Sequence, residues 1–261
     1  GVVVLFGGTN GPYGPYRDTW EYDGTDWRQV TTTHAPPDHV AGAMVYDEVR
    51  GRMVLVTGWR STGFINETWE YDGIDWVRTS SVPGSRYNFA LAYDPVRQRV
   101  ILFGGYHHGH PGDAPPCLND TWEYDGQAWT GVPVPNRPST RCGHSMTYLV
   151  APSGHNAIIL FGGTPGENIA LGDTWEYDGV NWRQMAPSHQ PSGRYQAGLV
   201  SWSSYFITEQ IEVSPYNRVR LNLPESFPDG RTYKVQFGRR LVFDSADEIV
   251  SVLRVPASAF I

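Results

Sequence analysis

Long apolar runs, lysine and cysteine are all scarce in this chain of 261 residues. No stretch of about 18 consecutive apolar residues occurs, so we expect no membrane span. Lys234 is the only lysine among 20 basic residues, and the formal net charge is -7. Because nucleic-acid binding depends on neutralising phosphates with lysine and arginine, this balance argues against a nucleic-acid partner.

Glycine, proline and aromatic residues are abundant instead. The chain holds 29 Gly, 20 Pro and 10 Trp, and aromatic residues make up 13% of it. This composition is typical of many short strands joined by tight turns, and a helical protein has little use for so many breakers. The composition therefore predicts an all-β protein.

The hexapeptide TWEYDG occurs four times, beginning at Thr19, Thr68, Thr121 and Thr174. The tryptophans of successive copies are 49, 53 and 53 residues apart, and each is followed seven positions later by a second tryptophan. Self-similarity at a fixed period of about fifty residues is the signature of a repeat architecture.

Each repeat carries the same features around the hexapeptide. An apolar run that ends in glycine precedes it, in the four forms VVVLFGG, MVLVTG, VILFGG and AIILFGG. A proline follows the second tryptophan, and another apolar stretch comes next, such as AGAMVY or FALAY. These segments predict four short antiparallel strands per repeat, from an inner strand to an outer one. Since one such unit would expose both of its apolar faces, we expect the units to pack side by side around an axis.

LFGG, DTWEYDG, the tryptophan seven residues on and the following P-x-x-R together resemble the kelch repeat, over residues 1–202. The resemblance implies a kelch-type β-propeller with four recognisable blades, a fold that serves most often as a binding platform. Members of the family include ligase adaptors, actin-binding proteins, secreted bacterial proteins and the propeller of galactose-oxidase-like copper enzymes. We expect this chain to be a secreted bacterial member.

The segment 203–261 has no kelch motif but alternates between apolar and polar residues as strands do. In one interpretation it is a divergent fifth blade, in which residues 198–202 open the blade and 248–255 pair with residues 2–6 to close the ring. In the other it is a small appended β-sandwich, or a tail that packs against one face. All of these keep the chain all-β.

Four basic side chains align at the predicted starts of the inner strands: His39, Arg86, Arg141 and Arg194. They lie at the same end of the repeat as the long loops between the second and third strands, where binding residues concentrate. The guanidinium group of arginine can donate two parallel hydrogen bonds to a carboxylate or a phosphate. The pattern therefore predicts a site for a small anion. The alternative is a structural role, in which the arginines pin loops by bonding backbone carbonyls.

The same long loops carry aromatic residues, with Tyr16, Trp59 and Tyr106 as candidate ligand contacts beside Tyr13 and Phe64. Aromatic rings stack on sugars and form the centres of protein interfaces. We therefore expect the partner to be a protein or a carbohydrate.

The longest of these loops contains His107, His108, His110 and Asp113, which are residue types that bind zinc or copper. A metal site there is one hypothesis, and solvated histidines in a loop rich in glycine and proline are the other. No further cofactor is expected.

Cys117 and Cys142 are the only cysteines, and both fall at the long-loop end of neighbouring repeats. A disulfide between them would fix the longest loop and would suit an oxidising compartment. Two free thiols are the alternative. With the disulfide, the expected location is extracellular or periplasmic.

Three hypotheses for function follow. The first is a noncatalytic binding module that uses the long-loop face for a protein, a glycan or a small anionic ligand. The second is an enzyme with a metal site on that face, either a copper oxidase like galactose oxidase or a hydrolase, but we identify no catalytic residues. The third is a structural component of a larger assembly.

Overall fold

The computed structural model describes residues 1–9, 16–39, 41–60, 63–82, 84–107, 117–151, 155–166, 169–201, 212–213 and 219–220. All regular structure in these segments is β, and none of them forms a helix that could cross a bilayer. The prediction of an all-β chain is therefore confirmed.

The first two of the four larger sheets come from the N-terminal half of the repeat region. Sheet 1 has three antiparallel strands, in the order β1 (Val3–Phe6), β2 (Thr19–Tyr22) and β3 (Trp27–Val30). Sheet 2 has four, which in spatial order are β4 (Ala43–Asp47), β5 (Arg52–Val56), β8 (Glu67–Tyr71) and β9 (Trp76–Ser81). The loop after β5 forms a small hairpin of β6 (Trp59–Arg60) and β7 (Gly63–Phe64).

Sheets 3 and 4 repeat this pattern. In sheet 3 the inner positions are taken by β10 (Arg86–Tyr87) and β11 (Ala90–Asp94), which both pair with β12 (Arg99–His107); β13 (Cys117–Tyr124) and β14 (Trp129–Val132) follow. Sheet 4 contains β15 (Ser145–Val150), β16 (Asn156–Phe161), β17 (Thr174–Tyr177) and β18 (Trp182–Met185). Each sheet thus runs from an inner to an outer strand in chain order.

The contacts between Cα atoms divide the chain into two compact units, Gly1–Tyr205 and Phe206–Ile261. The second unit has one described strand pair, β19 (Glu212–Val213) with β20 (Val219–Arg220). Residues 248–255, which we expected to pair with residues 2–6, lie outside the described part of the chain. Residues 198–201, expected to open a fifth sheet, are described and form no strand.

The aspartate and glycine of TWEYDG build the turn between the third and outer strands. In sheet 1, Asp23 Oδ1 accepts hydrogen bonds from the backbone N–H groups of Thr25 and Asp26, at 2.8 and 3.0 Å. Gly24 then has a φ of 102°, in the left-handed region, where a residue with a side chain would be strained. Asp72, Asp125 and Asp178 bond their turns in the same way.

Neighbouring sheets are joined by hydrogen bonds between side chains of the repeat. The second tryptophan of each later sheet donates its indole N–H to the hexapeptide threonine of the sheet before it. The three bonds measure 2.8 to 2.9 Å and are Trp76 to Thr19, Trp129 to Thr68 and Trp182 to Thr121. The hexapeptide tyrosine likewise donates to the hexapeptide glutamate of the preceding sheet, in the pairs Tyr71–Glu21, Tyr124–Glu70 and Tyr177–Glu123.

Apolar side chains of the second strands fill the space between the sheets. Val54 and Val56 of sheet 2 share a buried cluster with Val100 and Leu102 of sheet 3. The same positions one sheet later form the next cluster, in which Ile101 and Phe103 join Ile158 and Leu160. Between sheets 1 and 2, Val4 and Phe6 pack against the buried Leu55, Tyr71 and Trp76. One pattern of packing therefore recurs at all three interfaces.

The inner loops of the repeats are linked by a series of backbone hydrogen bonds. Ala41, Asn88, Gly143 and Gln196 all have φ between 53° and 62°. Asn88 N–H donates to the Ala41 carbonyl, Gly143 to Asn88 and Gln196 to Gly143. Equivalent residues of successive repeats are thus connected in order. Among the described strands, β1 has no inner partner strand, and no strand of sheet 4 pairs with sheet 1.

Replacing Thr121 by Val should lower the free energy of unfolding by about 1–3 kcal/mol, because the buried indole N–H of Trp182 loses its acceptor. Thr174→Val is the matched control: it stands at the same hexapeptide position, and no tryptophan among the described residues donates to it. We expect Thr174→Val to change the free energy of unfolding by no more than about 0.5 kcal/mol. Denaturant titration followed by circular dichroism measures both, and equal losses would contradict the assigned role of the indole bond.

Candidate functional site

The strand registers place the predicted long-loop face as the sequence indicates. Arg86 pairs with His107 and Tyr87 with Tyr106, so the start of an inner strand lies beside the end of the second strand. Cys142 is bridged to Thr164 at the corresponding point of the next sheet. The inner-strand starts and the loops after the second strands therefore share one end of these two sheets.

Arg86 and Arg141 are buried at this end and bind within the protein. Each guanidinium forms a two-pronged pair with an aspartate: Arg86 with Asp120 and Arg141 with Asp173, at 2.8 and 2.9 Å in both cases. Each also donates to the carbonyl of a glycine, Gly104 for Arg86 and Gly162 for Arg141. This arrangement favours the structural alternative for these two arginines over the binding of a small anion.

The aspartates of these pairs also accept a hydrogen bond from the tryptophan two residues later. Asp120 Oδ2 lies 2.7 Å from Trp122 Nε1, and Asp173 Oδ2 lies 2.6 Å from Trp175 Nε1. Burial alone would raise the pKa of Asp173, but the hydrogen bonds from Arg141 and Trp175 outweigh it and lower the pKa. The carboxylate is therefore charged at neutral pH and links Arg141, which precedes β15, to Trp175 of β17.

The first and last members of the basic series have different surroundings. His39 is buried, its Nδ1 lies 2.9 Å from the Pro37 carbonyl, and its ring stacks on Phe6. Burial lowers the pKa of His39, so the ring is neutral at physiological pH. Arg194 is exposed, and among the described residues its guanidinium bonds only to Ser192. Neither His39 nor Arg194 pairs with a carboxylate in the described part of the chain.

Two aromatic candidates project from this end into solvent. Tyr16 is 47% exposed and Trp59 is 41% exposed. Both are held by backbone bonds at the base of their loops, with Tyr16 N–H donating to the Gly8 carbonyl at 2.7 Å and Trp59 paired to Phe64 in the small hairpin. Tyr106 is half-buried instead and packs against Tyr87, with ring centres 4.9 Å apart.

Of the predicted histidine cluster, the structure describes only the first residue, His107. His107 ends β12 and is half-buried, whereas His108, His110 and Asp113 lie outside the described residues, as does Tyr13. Within the described segments, no group of three or more His, Cys, Asp or Glu side chains is arranged to hold a metal ion. The hypothesis of a metal site in this loop therefore stays a prediction.

Cys117 and Cys142 are joined by a disulfide, and their Cα atoms are 5.5 Å apart. Cys117 begins β13, directly after the longest loop, and Cys142 lies next to the buried Arg141. Both cysteines are themselves buried. The disulfide thus fastens the end of the longest loop to the inner loop of the next repeat.

Sequence reasoning did not identify the acidic partners of the arginines. Each hexapeptide is preceded by an acidic residue, in the series Asp18, Glu67, Asp120 and Asp173. Asp120 pairs with Arg86, and Asp173 pairs with Arg141. The signal was available, since an acidic and a basic position recur in register in the repeat, but their proximity depends on how the strands fold back within one sheet.

His144 is a second feature that the fold reveals. Its ring is buried edge-on to Phe103, at 5.4 Å between ring centres, and neither ring nitrogen has a hydrogen-bond partner among the described residues. Burial, followed by the charge of Arg141, lowers its pKa to about 3. His144 is therefore a neutral packing residue.

No known family model matches the chain.

Replacing Arg141 by Met should lower the free energy of unfolding at pH 7 by roughly 3 kcal/mol, because a buried charge pair loses one partner. A carboxyl whose pKa is lowered in the folded state adds stability above its unfolded pKa, and this contribution disappears as the pH falls through the folded value. The difference between wild type and variant should therefore be largest at neutral pH and shrink below about pH 4.

Denaturant titrations at pH 7 and pH 3 measure this difference. Arg194→Met is the matched control, since its guanidinium is exposed and lacks a carboxylate among the described residues, and it should change stability by no more than about 0.5 kcal/mol. A loss for Arg141→Met that did not vary with pH would contradict the role given to its pair with Asp173.

Removing the disulfide with the double substitution Cys117→Ala, Cys142→Ala should destabilise the fold by about 3.5 kcal/mol, the entropy expected for a bridge that spans 25 residues. Thermal unfolding with and without a reducing agent checks this. The reducing agent should lower the melting temperature of the wild type and leave that of the double variant unchanged. An effect on both proteins would mean that the agent acts elsewhere.

Proposed function

We propose that the repeat region is a kelch-type β-propeller and that it works as a noncatalytic binding module, with a protein or a carbohydrate bound at the long-loop face. The recurring tryptophan, tyrosine, threonine and glutamate contacts between four successive sheets support the propeller. The position of exposed aromatic rings on loops that rigid sheets hold in place supports the binding role.

The observation that carries the proposal is that, at this end of the sheets, two arginines are buried and paired whereas two aromatic side chains are exposed. Two of the basic groups predicted to bind an anion are paired inside the protein instead, Arg86 with Asp120 and Arg141 with Asp173. Among the described residues of these loops, the aromatic side chains exposed to solvent are Tyr16 and Trp59. Large rings that remain in water contribute little to the fold and much to a partner that stacks on them.

Trp59 and Tyr16 come from loops of neighbouring sheets, so a single ligand can contact both rings only if it bridges two repeats. A polymer with repeated apolar faces, such as a polysaccharide, meets this requirement, and so does the surface of a folded protein. A small anion is disfavoured as the ligand, because Arg86 and Arg141, two of its four predicted basic ligands, are buried and paired.

Binding of immobilised glycans, and of protein partners captured from the source, should depend on Trp59. Trp59→Ala should weaken binding about tenfold, the size expected for loss of a central tryptophan contact. Trp27→Ala is the matched control, because Trp27 is 43% exposed but belongs to the outer strand β3 and not to a long loop. Affinities are measured by surface plasmon resonance with both variants and the wild type.

Three outcomes separate the possibilities. Selective loss with Trp59→Ala on a glycan supports carbohydrate binding, and selective loss on a protein supports a protein partner. Binding that is unchanged by Trp59→Ala and by Tyr16→Ala would show that the aromatic long-loop face is not the site.

A further inference from the structure

Sheet 2 differs from sheets 3 and 4 at the base of its long loop. In sheet 3, Arg86 donates to the Gly104 carbonyl at 3.1 Å and forms its two-pronged pair with Asp120. We call this arrangement of arginine, glycine and aspartate the arginine lock. Sheet 4 has the same lock, formed by Arg141, Gly162 and Asp173.

In the repeat of sheet 2, all three positions of the lock hold a different residue. His39 stands at the arginine position, Thr57 at the glycine position and Glu67 at the aspartate position. Sheet 1 keeps the glycine and the aspartate, as Gly7 and Asp18. The three positions thus change together in one repeat, which indicates that they act as a unit.

The hydroxyl group of Thr57 joins the end of β5 to the start of β8. It donates to the Glu67 carbonyl at 3.1 Å and accepts from the Glu67 N–H at 2.9 Å. The backbone N–H of Thr57 donates to the same carbonyl at 3.0 Å. Thr57 is 1% exposed, so these bonds are shielded from water. The threonine therefore fastens the base of the long loop without a charged group.

The backbone at this position differs as well. Gly104 and Gly162 have left-handed φ angles of 58° and 73°, whereas Thr57 is not in that region. A Cβ atom on Gly104 would lie 2.7 Å from the Arg141 carbonyl oxygen, so a side chain does not fit there without a shift of the backbone. Beyond Thr57 the chain continues into the hairpin of β6 and β7. The long loop of sheet 2 is thus built on a different base from those of sheets 3 and 4.

The other two substituted residues remove the charge pair of the lock. Burial lowers the pKa of His39, so its ring adds no charge at physiological pH. A Cβ atom on Gly42 would lie 2.8 Å from this ring, so the glycine leaves room for it. The carboxylate of Glu67 accepts from Trp69 Nε1 at 2.9 Å and pairs with Arg78 at 3.2 Å. In the described part of sheet 2, these contacts replace the ion pair to the inner strand.

The residue two positions after the lock glycine is treated differently in the three sheets. In sheet 3 it is Tyr106, which is half-buried against Tyr87. In sheet 4 it is Thr164, which is half-buried and exchanges two backbone hydrogen bonds of 2.9 Å with Cys142. In sheet 2 it is Trp59, which is 41% exposed. The exposed ring thus occurs in the sheet that has no arginine lock.

From these observations we propose that His39, Thr57 and Glu67 are positioning residues, which replace the arginine lock so that the hairpin of sheet 2 holds Trp59 in solvent for the ligand. This inference rests on the function proposed above and names the repeat at its centre. The ligand is then recognised by stacking on the indole ring and not through an arginine.

Rebuilding the lock in sheet 2 tests the proposal. The triple variant His39→Arg, Thr57→Gly, Glu67→Asp should have the melting temperature of the wild type or a higher one, because the same lock is present in sheets 3 and 4. Trp59 should nevertheless become covered, as Tyr106 is. A change that keeps the stability and covers the ring is not expected of residues that serve the fold alone.

Fluorine NMR of protein labelled with fluorotryptophan measures the exposure of Trp59. A gadolinium chelate in the solvent broadens the signals of exposed indoles, and Trp59→Phe and Trp27→Phe identify the two signals. Trp27 is 43% exposed and serves as the internal reference. In the wild type the two signals should broaden to a similar extent, and in the triple variant that of Trp59 should broaden less. Similar broadening of both signals in the triple variant would overturn the proposal.

Two single substitutions decide the question if the triple variant does not fold. Thr57→Val keeps the shape of the side chain but removes both hydroxyl bonds, whereas Thr57→Ser keeps the hydroxyl. Thr57→Val should shift the Trp59 fluorine signal and speed hydrogen exchange at the Glu67 amide at least about tenfold, because this N–H loses its side-chain acceptor. Thr57→Ser should do neither. A Trp59 signal that Thr57→Val leaves unchanged would contradict the role given to the hydroxyl.

Ligand binding is a separate measurement. In the assay with immobilised glycans and protein partners, the triple variant should weaken binding about tenfold, as Trp59→Ala does. Binding that Trp59→Ala leaves unchanged would overturn the proposed function, while the fluorine spectra still decide how Trp59 is positioned. A Trp59 signal that responds to none of these variants would overturn the present inference, whatever the binding assay shows.

Discussion

The hydrogen bond from the indole N–H of the second tryptophan to the hydroxyl of a hexapeptide threonine is the interaction on which the arrangement of sheets depends. It joins a donor in one sheet to an acceptor in the sheet before it, three times, at 2.8 to 2.9 Å. An indole N–H that is buried without an acceptor is costly, so the bond fixes how far and at what angle two sheets approach. The apolar clusters supply most of the driving force for the packing of the sheets, and the hydrogen bonds select one packing geometry.

The same constraint explains how the charged residues of the repeat are used. Glu21, Glu70 and Glu123 would be unfavourable in an apolar interface, but each accepts from a tyrosine of the following sheet and is bonded by an arginine. Arg86 and Arg141 serve in a similar way at the inner end of their sheets, where they bind an aspartate and a glycine carbonyl. The charged side chains of the repeat thus join neighbouring strands and neighbouring sheets.

The sequence alone determined the repeat and the order of strands within each sheet, because the local spacing of apolar and turn residues decides where strands and turns occur. The TWEYDG copies and their second tryptophans needed no coordinates to be recognised as equivalent. The role of Arg86 and Arg141 was decided only by the tertiary structure, since an exposed anion site and a buried pair with Asp120 or Asp173 require the same arginine at the same position. What separates them is the folding of distant strands into one sheet, which brings a carboxylate 32 to 34 residues away within hydrogen-bond distance.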